Sequence, residues 1–477
     1  MGHSHSSPVR DCLMAAMGNN SALLSFKDDP FFTAHIPVYN LNLPVVPVAI
    51  TYPDTAKQVA EIVACAAKFG HKVQAFSGGH SYGNYGLGGG NGAVVVHLRN
   101  FQQFSIDNET NIATIGAGTN LGDLQANLYN SGGRAIAHGS CGQVGTGGHL
   151  TIGGLGPMSR QWGSALDHVE EVEVVLANSS IVRASRTQNQ DLLFAIKGAA
   201  ASFGIVTEFK IRTHPAPTQA LQFSFTVNVG DTASRARFFR DWQRLVSVHN
   251  LTRKFSTELV VFQGGILVSG TFFGSEEEFK EFRLEETFPI RNPGNIVYLT
   301  DCLGMVTSKA EDLIRNAIGG LSCSFYAKSM SFTPETLIPD EGIGALFKYL
   351  DSTDKGTLVW FVIFDLEGGA TNDVPVNATA YAHREAIMWM QSYAVNLLGP
   401  VSAQTKKFLN GINDIISSSR PGVQFGAYPG YVDPLIQDPQ NAYWGSNLPK
   451  LQQIKASVDP NDLFHNPQSV QVVPNDN

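Results

Sequence analysis

Two short segments hold the residues best suited to chemistry. In FSGGHSYGNYGLGGG, Phe76 to Gly90, His80 sits inside a glycine-rich run. In HGSCGQVGTGGHLTIGGLG, His138 to Gly156, Cys141 lies among glycines and small polar residues, flanked by His138 and His149. A neutral imidazole nitrogen is nucleophilic near physiological pH, and a thiolate more so. Adjacent glycines let successive backbone N–H groups converge on an anion such as a pyrophosphate, and let the chain approach a flat cofactor closely. The first segment is not a GxGxxG dinucleotide loop, because both the spacing and the following helix are missing. Each segment alone has a plainer reading: a surface glycine loop between strands for the first, a buried small hydrophobe or disulfide partner for Cys141 in the second.

The elements around these segments alternate between helix and strand. DTAKQVAEIVACAAKFG from Asp54 puts Val59, Ile62, Val63 and Ala66 on one helical face, with Asp54 or Thr55 as cap and Gly70 as end. HKVQAF and AVVVHL read as strands on either side of the first glycine run, NIATIGAGT as a strand and NLGDLQANLYNSGG as a helix. HVEEVEVVLANSSIVRAS reads as a hairpin about Ala177-Asn178-Ser179, followed by a helix at Asp191–Lys197 and the strand GIVTEFKIRT. A short helix is expected near Asp11–Met17. After THPAPTQ the strands ALQFSFTVNV, STELVVF, GILVSGTFF and GTLVWFVIFDL predict an antiparallel sheet, with helices near Ala233–Val248 and Ala380–Leu397. The segment from Tyr443 reads as a helix closed by an Asp-Pro turn.

Composition bounds the function classes. At 477 residues, 43% hydrophobic and 16% charged, the chain is globular and long enough for two or three folding units. A net charge of −8 and the lack of a basic run argue against nucleic acid as partner. No apolar stretch is long enough to span a bilayer. Five Asn-x-Ser/Thr triplets, at Asn19, Asn108, Asn178, Asn250 and Asn377, together with cysteine pairs, point to a secreted protein, although MGHSHSS lacks the apolar core of a signal peptide.

Taken together, GGHSYG and the downstream C-x-x-x-G-x-G-G-H resemble the berberine-bridge-enzyme-like branch of the vanillyl-alcohol-oxidase flavoprotein family, in particular its fungal gluco- and chito-oligosaccharide oxidases. The likeness runs from about Asp11 to Gln468 and includes YAHRE at Tyr381 and DPNDLFHNPQS. It implies an α+β, two-domain FAD-linked oxidase fold. Residues 1–215 and 425–477 would form the FAD-binding domain. Residues 216–424 would form a substrate domain with an antiparallel sheet flanked by helices. The resemblance implies FAD bound covalently, His80 to the flavin 8-methyl group and Cys141 to ring carbon 6. Ser77, Gly78, Gly79 and Ser81 would contact the pyrophosphate; Gly145, Gly148, His149, Ile205 and Val206 would line the cofactor; Asn466 and Gln468 would close over the ring. Cys12 and Cys65 match a disulfide of the family, and Cys302 and Cys323 either pair or stay free. Three departures stand out. Phe76 replaces a cation, alanines 199–201 replace a glycine run, and Gly430-Tyr431 replaces Asn-Tyr.

Oxidising a cyclic hemiacetal removes a hydroxyl proton while hydride leaves the same carbon for flavin N5, so the protein must supply a base and hold the sugar. AYPGYVDP is similar to the family segment carrying that base, which makes Tyr431 the candidate; a loop tyrosine packed beside Pro429 and Pro434 is the plainer alternative. Asp365, in VWFVIFDLEGG, matches an acid that would accept from or orient such a tyrosine, and it also suits a turn or cap. Since a carboxylate disfavours a nearby phenolate, its role would be acceptor or positioner. Tyr82, Tyr326 and Gln391 are the sugar-binding candidates, each also compatible with a core or rim position. The resemblance thus implies a monomeric, extracellular enzyme oxidising the reducing-end C1 hydroxyl of an oligosaccharide, with O2 or another acceptor taking the electrons. A fungal secondary metabolite is the alternative substrate. No metal site is read from the sequence.

Overall fold

The computed structural model describes residues 7–227, 230–283, 295–299 and 323–473. Cys302 lies outside them, so the Cys302–Cys323 question has no structural reading.

Residues before 100 build a small sheet from β1 (Leu24–Phe26), β2 (Ala49–Thr51), β3 (Val73–Phe76) and β4 (Val94–His97), in the order β1-β2-β4-β3. β4 pairs in parallel with both β2 and β3, and the helix Ala56–Lys68 makes the crossover between β2 and β3. That helix starts where expected. Thr55 Oγ1 accepts from the Gln58 N–H, and Val59, Ile62, Val63 and Ala66 are buried. The disulfide Cys12–Cys65 ties the N-terminal helix Pro8–Ala16 to it, as the resemblance implied.

Residues 104–215 contribute β5 (Phe104–Asp107), β6 (Ile112–Gly116), β7 (Arg134–Ala135), β8 (Val169–Val175), β9 (Ile181–Ser185), β10 (Ile205–Arg212) and β11 (His214–Pro215). Five of them form an antiparallel sheet, β5-β6-β10-β8-β9, and β7 pairs with β11. One apolar cluster underlies both sheets and draws in Ala427 and residues from Tyr443 to Val470. Buried Lys455 holds that later segment in place, donating to the carbonyls of Ser202 and Phe464 and pairing with Asp459 at 2.6 Å.

The third sheet has seven antiparallel strands: β12 (Ala220–Val227), β13 (Phe255–Phe262), β14 (Gly265–Phe272), β15 (Asn295–Leu299), β16 (Ser324–Phe332), β17 (Val359–Leu366) and β18 (Met388–Asn396). Their order is β15-β12-β14-β13-β17-β18-β16. Because side chains alternate along a strand, the sheet has two chemical faces. Phe223, Leu259, Val268, Phe364 and Met390 pack against the helices Thr232–Val246, Asp340–Ser352 and Ala403–Ser418. The intervening Gln222, Ser256, Glu258, Ser269, Thr271, Asp365 and Gln391 line a cavity instead.

The expected helix over Ala380–Leu397 is not there. Residues 380–387 form a loop and β18 follows. MWMQSYAVN is mostly apolar and buried on both faces, which obscures a period of two; the deciding fact is that it lies between β17 and β16 and bonds to both. Loop residue Arg384 instead makes a buried bidentate pair with Asp167, at 2.8 and 2.9 Å. No helix among the described residues is long and apolar enough to cross a membrane.

The Cys12–Cys65 bridge closes a 53-residue separation. Replacing both cysteines by serine is expected to lower unfolding stability by about 2–4 kcal/mol, read as a lower thermal midpoint. An unchanged midpoint would show the N-terminal helix to be held by packing alone.

Candidate active site

The two glycine segments meet backbone to backbone. A Cβ built on Gly78 would lie 2.3 Å from Gly145 N, and one on Gly145 would lie 2.1 Å from Gly78 N. Neither position admits any other residue without a shift of main chain. Ser77 locks the junction: its hydroxyl donates to Ala117 O at 2.6 Å and accepts from Gly147 N–H at 3.3 Å. Gly79, at φ +76°, rests on the ring of Phe76, where a Cβ would come 2.3 Å from Cζ. Phe76 therefore supports the loop from below, its ring tilted against His97 with centroids 4.6 Å apart, and supplies no charge.

A cavity of about 1180 Å³ opens from this junction between the three sheets. Ser77, Gly78, Gly79, His80, Ser81, Cys141, Gly145, Gly148, His149 and Val206 line it, as do Asn466 and Gln468 from the later segment. Ile205 does not. It is fully buried in the core beneath, since successive strand residues face opposite ways and Val206 takes the cavity side. Burial lowers the proton affinity of His80, keeping its ring neutral, and Tyr39 covers it at 4.7 Å. His149 Nε2 accepts from Gly139 N–H at 2.9 Å, which anchors the Cys141 segment, and burial with the neighbouring His138 drops its pKa to about 3.

Across the cavity, Tyr82 and Tyr431 stack with ring centroids 6.0 Å apart, and Gln391 Nε2 donates to the Tyr82 hydroxyl at 2.9 Å. Asp365 lies on the same sheet face, directly opposite Trp389 on β18 and Glu258 on β13. Gly430 is pressed against the Tyr428 ring, 2.4 Å from a built Cβ, so no asparagine fits before Tyr431 in this arrangement. Tyr326 is a correction. It is 2% exposed and faces the helix side of the sheet with Met330, while Phe325 takes the cavity side against Tyr82. Its hydroxyl donates to Asp433 at 3.0 Å.

Several site residues carried no sequence signal. Asn84, at φ +54°, holds Tyr39 N–H, Asn40 N–H and the carbonyls of Asn40 and Leu43, folding the first glycine run onto the segment before it. Its place between Gly83 and Tyr85 was the available hint. Tyr428 accepts from Gly154 N–H, and Glu367 continues the Asp365 face. Among the described residues no cluster of three or more His, Cys, Asp or Glu could hold a metal ion.

The donor set fits FAD on structural grounds. The glycine junction leaves main chain bare where a flat ring and a pyrophosphate need close approach, a neutral His80 and half-buried Cys141 border one long cavity, and the buried Tyr85 hydroxyl in its wall has no partner among the described residues. Comparisons with known proteins agree. A family described as an FAD binding domain matches residues 47–185, and one described as berberine and berberine like matches residues 427–471. The FAD-linked oxidoreductase sorD of Penicillium rubens is 42% identical, covering 96% of this chain and 97% of its own. The chitooligosaccharide oxidase of Gibberella zeae is 32% identical over 91% of this chain and 89% of its own. A solved chitooligosaccharide oxidase superposes with a TM-score of 0.87 at 29% identity, covering 98% of this chain and 99% of that one. The glucooligosaccharide oxidase of Acremonium strictum, with a 6-S-cysteinyl, 8α-N1-histidyl FAD, gives 0.84 at 29% identity, covering 98% and 100%.

Two measurements follow from this geometry. Gly78→Ala should break the junction and leave protein with little bound flavin, whereas Gly90→Ala, with nothing within 4 Å of its Cβ, should load normally; equal flavin-to-protein absorbance ratios would refute the contact. Buried His149 and His168 both titrate at about 3 when folded, against 6.5 when unfolded. Between those values only the unfolded chain binds the proton. Their contribution is therefore complete above pH 6.5 and falls towards pH 3, by about 1.4 kcal/mol per pH unit for each. Thermal midpoints should drop on acidification below pH 6.5, and a flat profile would contradict it.

Proposed function

The chain belongs to the berberine-bridge-enzyme-like FAD-linked oxidoreductases, and from that premise we propose that it oxidises the reducing-end C1 hydroxyl of a short cello-, chito- or xylo-type oligosaccharide to the lactone. The observation that carries this reading is the cavity-facing side of the seven-stranded sheet. Gln222, Ser256, Glu258, Ser269, Thr271 and Gln391 present hydroxyl-matching polar groups, and Tyr82 and Tyr431 present aromatic faces beside them. That combination suits a ring with polar edges and apolar faces.

His80 and Cys141 are the attachment points for FAD in this proposal, and Ser77, Gly78, Gly79, Ser81, Gly145, Gly148, His149, Val206, Asn466 and Gln468 its contacts. When bound, FAD supplies a two-electron acceptor. The residues do the rest: Tyr431 takes the C1 hydroxyl proton, Asp365 accepts from or orients the tyrosine, and Tyr82 with Gln391 holds the sugar. Dioxygen is the final acceptor, with hydrogen peroxide formed. The chain acts as a monomer, divided into 1–215 with 425–477 for the cofactor and 216–424 for the substrate. All five sequon asparagines are solvent-exposed, which supports a secreted, glycosylated protein.

A second reading, oxidation of a fungal secondary metabolite, is favoured by one observation. The 42% relative is named only as an FAD-linked oxidoreductase, and the sugar oxidases stand at 31–34%.

One experiment separates the two readings. After acid precipitation the flavin should stay with the pellet, and with cellobiose, chitobiose or xylobiose under argon it should bleach, then yield peroxide on aeration. Tyr431→Phe should keep the visible spectrum and slow bleaching by about 10²–10⁴-fold. Bleaching by none of the three sugars would pass the case to the metabolite reading, and unimpaired Tyr431→Phe would remove that residue as the base.

A further inference from the structure

The inner wall of the cavity contains a carboxyl that the reaction just described does not use. Glu367 follows Asp365 by two residues, its N–H still bonding Ile387 O at 2.8 Å, so the two side chains share one face. It is 6% exposed, and its Oε2 is enclosed without a hydrogen-bond partner among the described residues. Arg160 is the cation that acts on it, yet the guanidinium is turned to main-chain carbonyls. Nε donates to Phe255 O, Nη1 to the Glu367 carbonyl at 2.6 Å, and Nη2 to Leu251 O and Thr252 O. No cation is paired with the Glu367 side chain among the described residues. An interior carboxylate lacking both counter-ion and donors costs several kcal/mol, and the usual response is to keep the proton.

We propose that Glu367 is a positioning residue that remains protonated beside Asp365, so that this strand presents a single negative charge to the cavity that Tyr431 also lines. The proposal rests on Tyr431 and Asp365 as the catalytic pair. The groups facing Glu367 are few. Asp365 lies on its own strand with Glu258 beyond it on β13, Arg160 comes from the segment before β8, and Tyr381 and Tyr428 come from two loops. Burial is the main cause that pushes the Glu367 proton affinity up; the Asp365 charge adds to it and Arg160 opposes it. Tyr381 and Tyr428 are themselves shifted up by burial and stay neutral. Were Glu367 ionised, it would add its charge to those of Asp365 and Glu258 on this face and oppose phenolate formation at Tyr431 further.

The test compares wild-type and Glu367→Gln holoprotein by infrared difference spectroscopy at neutral pH. A protonated-carboxyl stretch present in the wild type and missing from the variant is expected; no such band overturns the proposal. Should the Gln variant not fold, Glu367→Asp serves, and it is expected to move the band. The functional readout is anaerobic flavin reduction by cellobiose across pH. The wild-type rate should fall by about tenfold per pH unit once Glu367 ionises, and the Gln variant should lack that alkaline fall. An identical fall in both overturns the positioning role. If no sugar reduces the flavin, or if Tyr431→Phe reduces it normally, the catalytic reading fails, and the infrared band still decides whether Glu367 carries a proton.

Discussion

Everything at this site depends on a main-chain contact that only glycine permits. Gly78 and Gly145 approach so closely that a methyl on either would strike the other's amide. The contact brings the loop bearing His80 and the loop bearing Cys141, distant in sequence, to one rim. Ser77 and His149 then secure the two sides with hydrogen bonds to Ala117, Gly147 and Gly139. His149 is buried and Ser77 half-buried, so these bonds are formed largely away from competing water and losing one would leave a poorly solvated orphan. The rim is thus held by the chain's own contacts, which is what the two-point attachment proposed for His80 and Cys141 would require.

The second constraint is the two-faced sheet. Its apolar face is covered by three helices with Phe239, Trp242, Phe347 and Phe408 between them, so the polar face is left to the cavity. Burial on one side fixes the strand register, because a slip of one residue would exchange the faces. The same packing that stabilises this part of the chain therefore also aims Glu258, Asp365 and Gln391.

How much of this was legible in the sequence varies by element. The helix at Ala56–Lys68, the two glycine segments and the strands β3, β4, β6, β8, β9, β10, β12, β13, β14 and β17 follow from spacing and turn residues, whereas the short β1, β2, β5, β7 and β11 carry too few residues to show a pattern. The family resemblance supplied the partnership of His80 with Cys141 and the Cys12–Cys65 bridge. β18 is not legible as a strand, since a strand buried on both faces shows no alternation and is recognised only by the neighbours it pairs with. Tyr326 was misassigned by one position: its neighbour Phe325 has the same aromatic character, and nothing local says which face is the cavity. Asn40, Asn84 and Lys455 act through partners far away in the chain, and a single sequence has no signal for such contacts.

The later segment has a consequence in time. Lys72 donates to the carbonyl of Asn461, 389 residues away, and Val73 N–H to that of Leu463, while Lys455 pins the turn at Ser202. The first sheet is built from residues before 100, but its outer strand β3 and the turn Ala200–Ser202 gain these partners only when residues 455–470 have been made. Asn466 and Gln468 reach the cavity in the same step. On the proposed assignment, flavin capture would await the near-completion of synthesis, and a chain stalled before residue 455 would present His80 and Cys141 without Asn466 and Gln468 beside them.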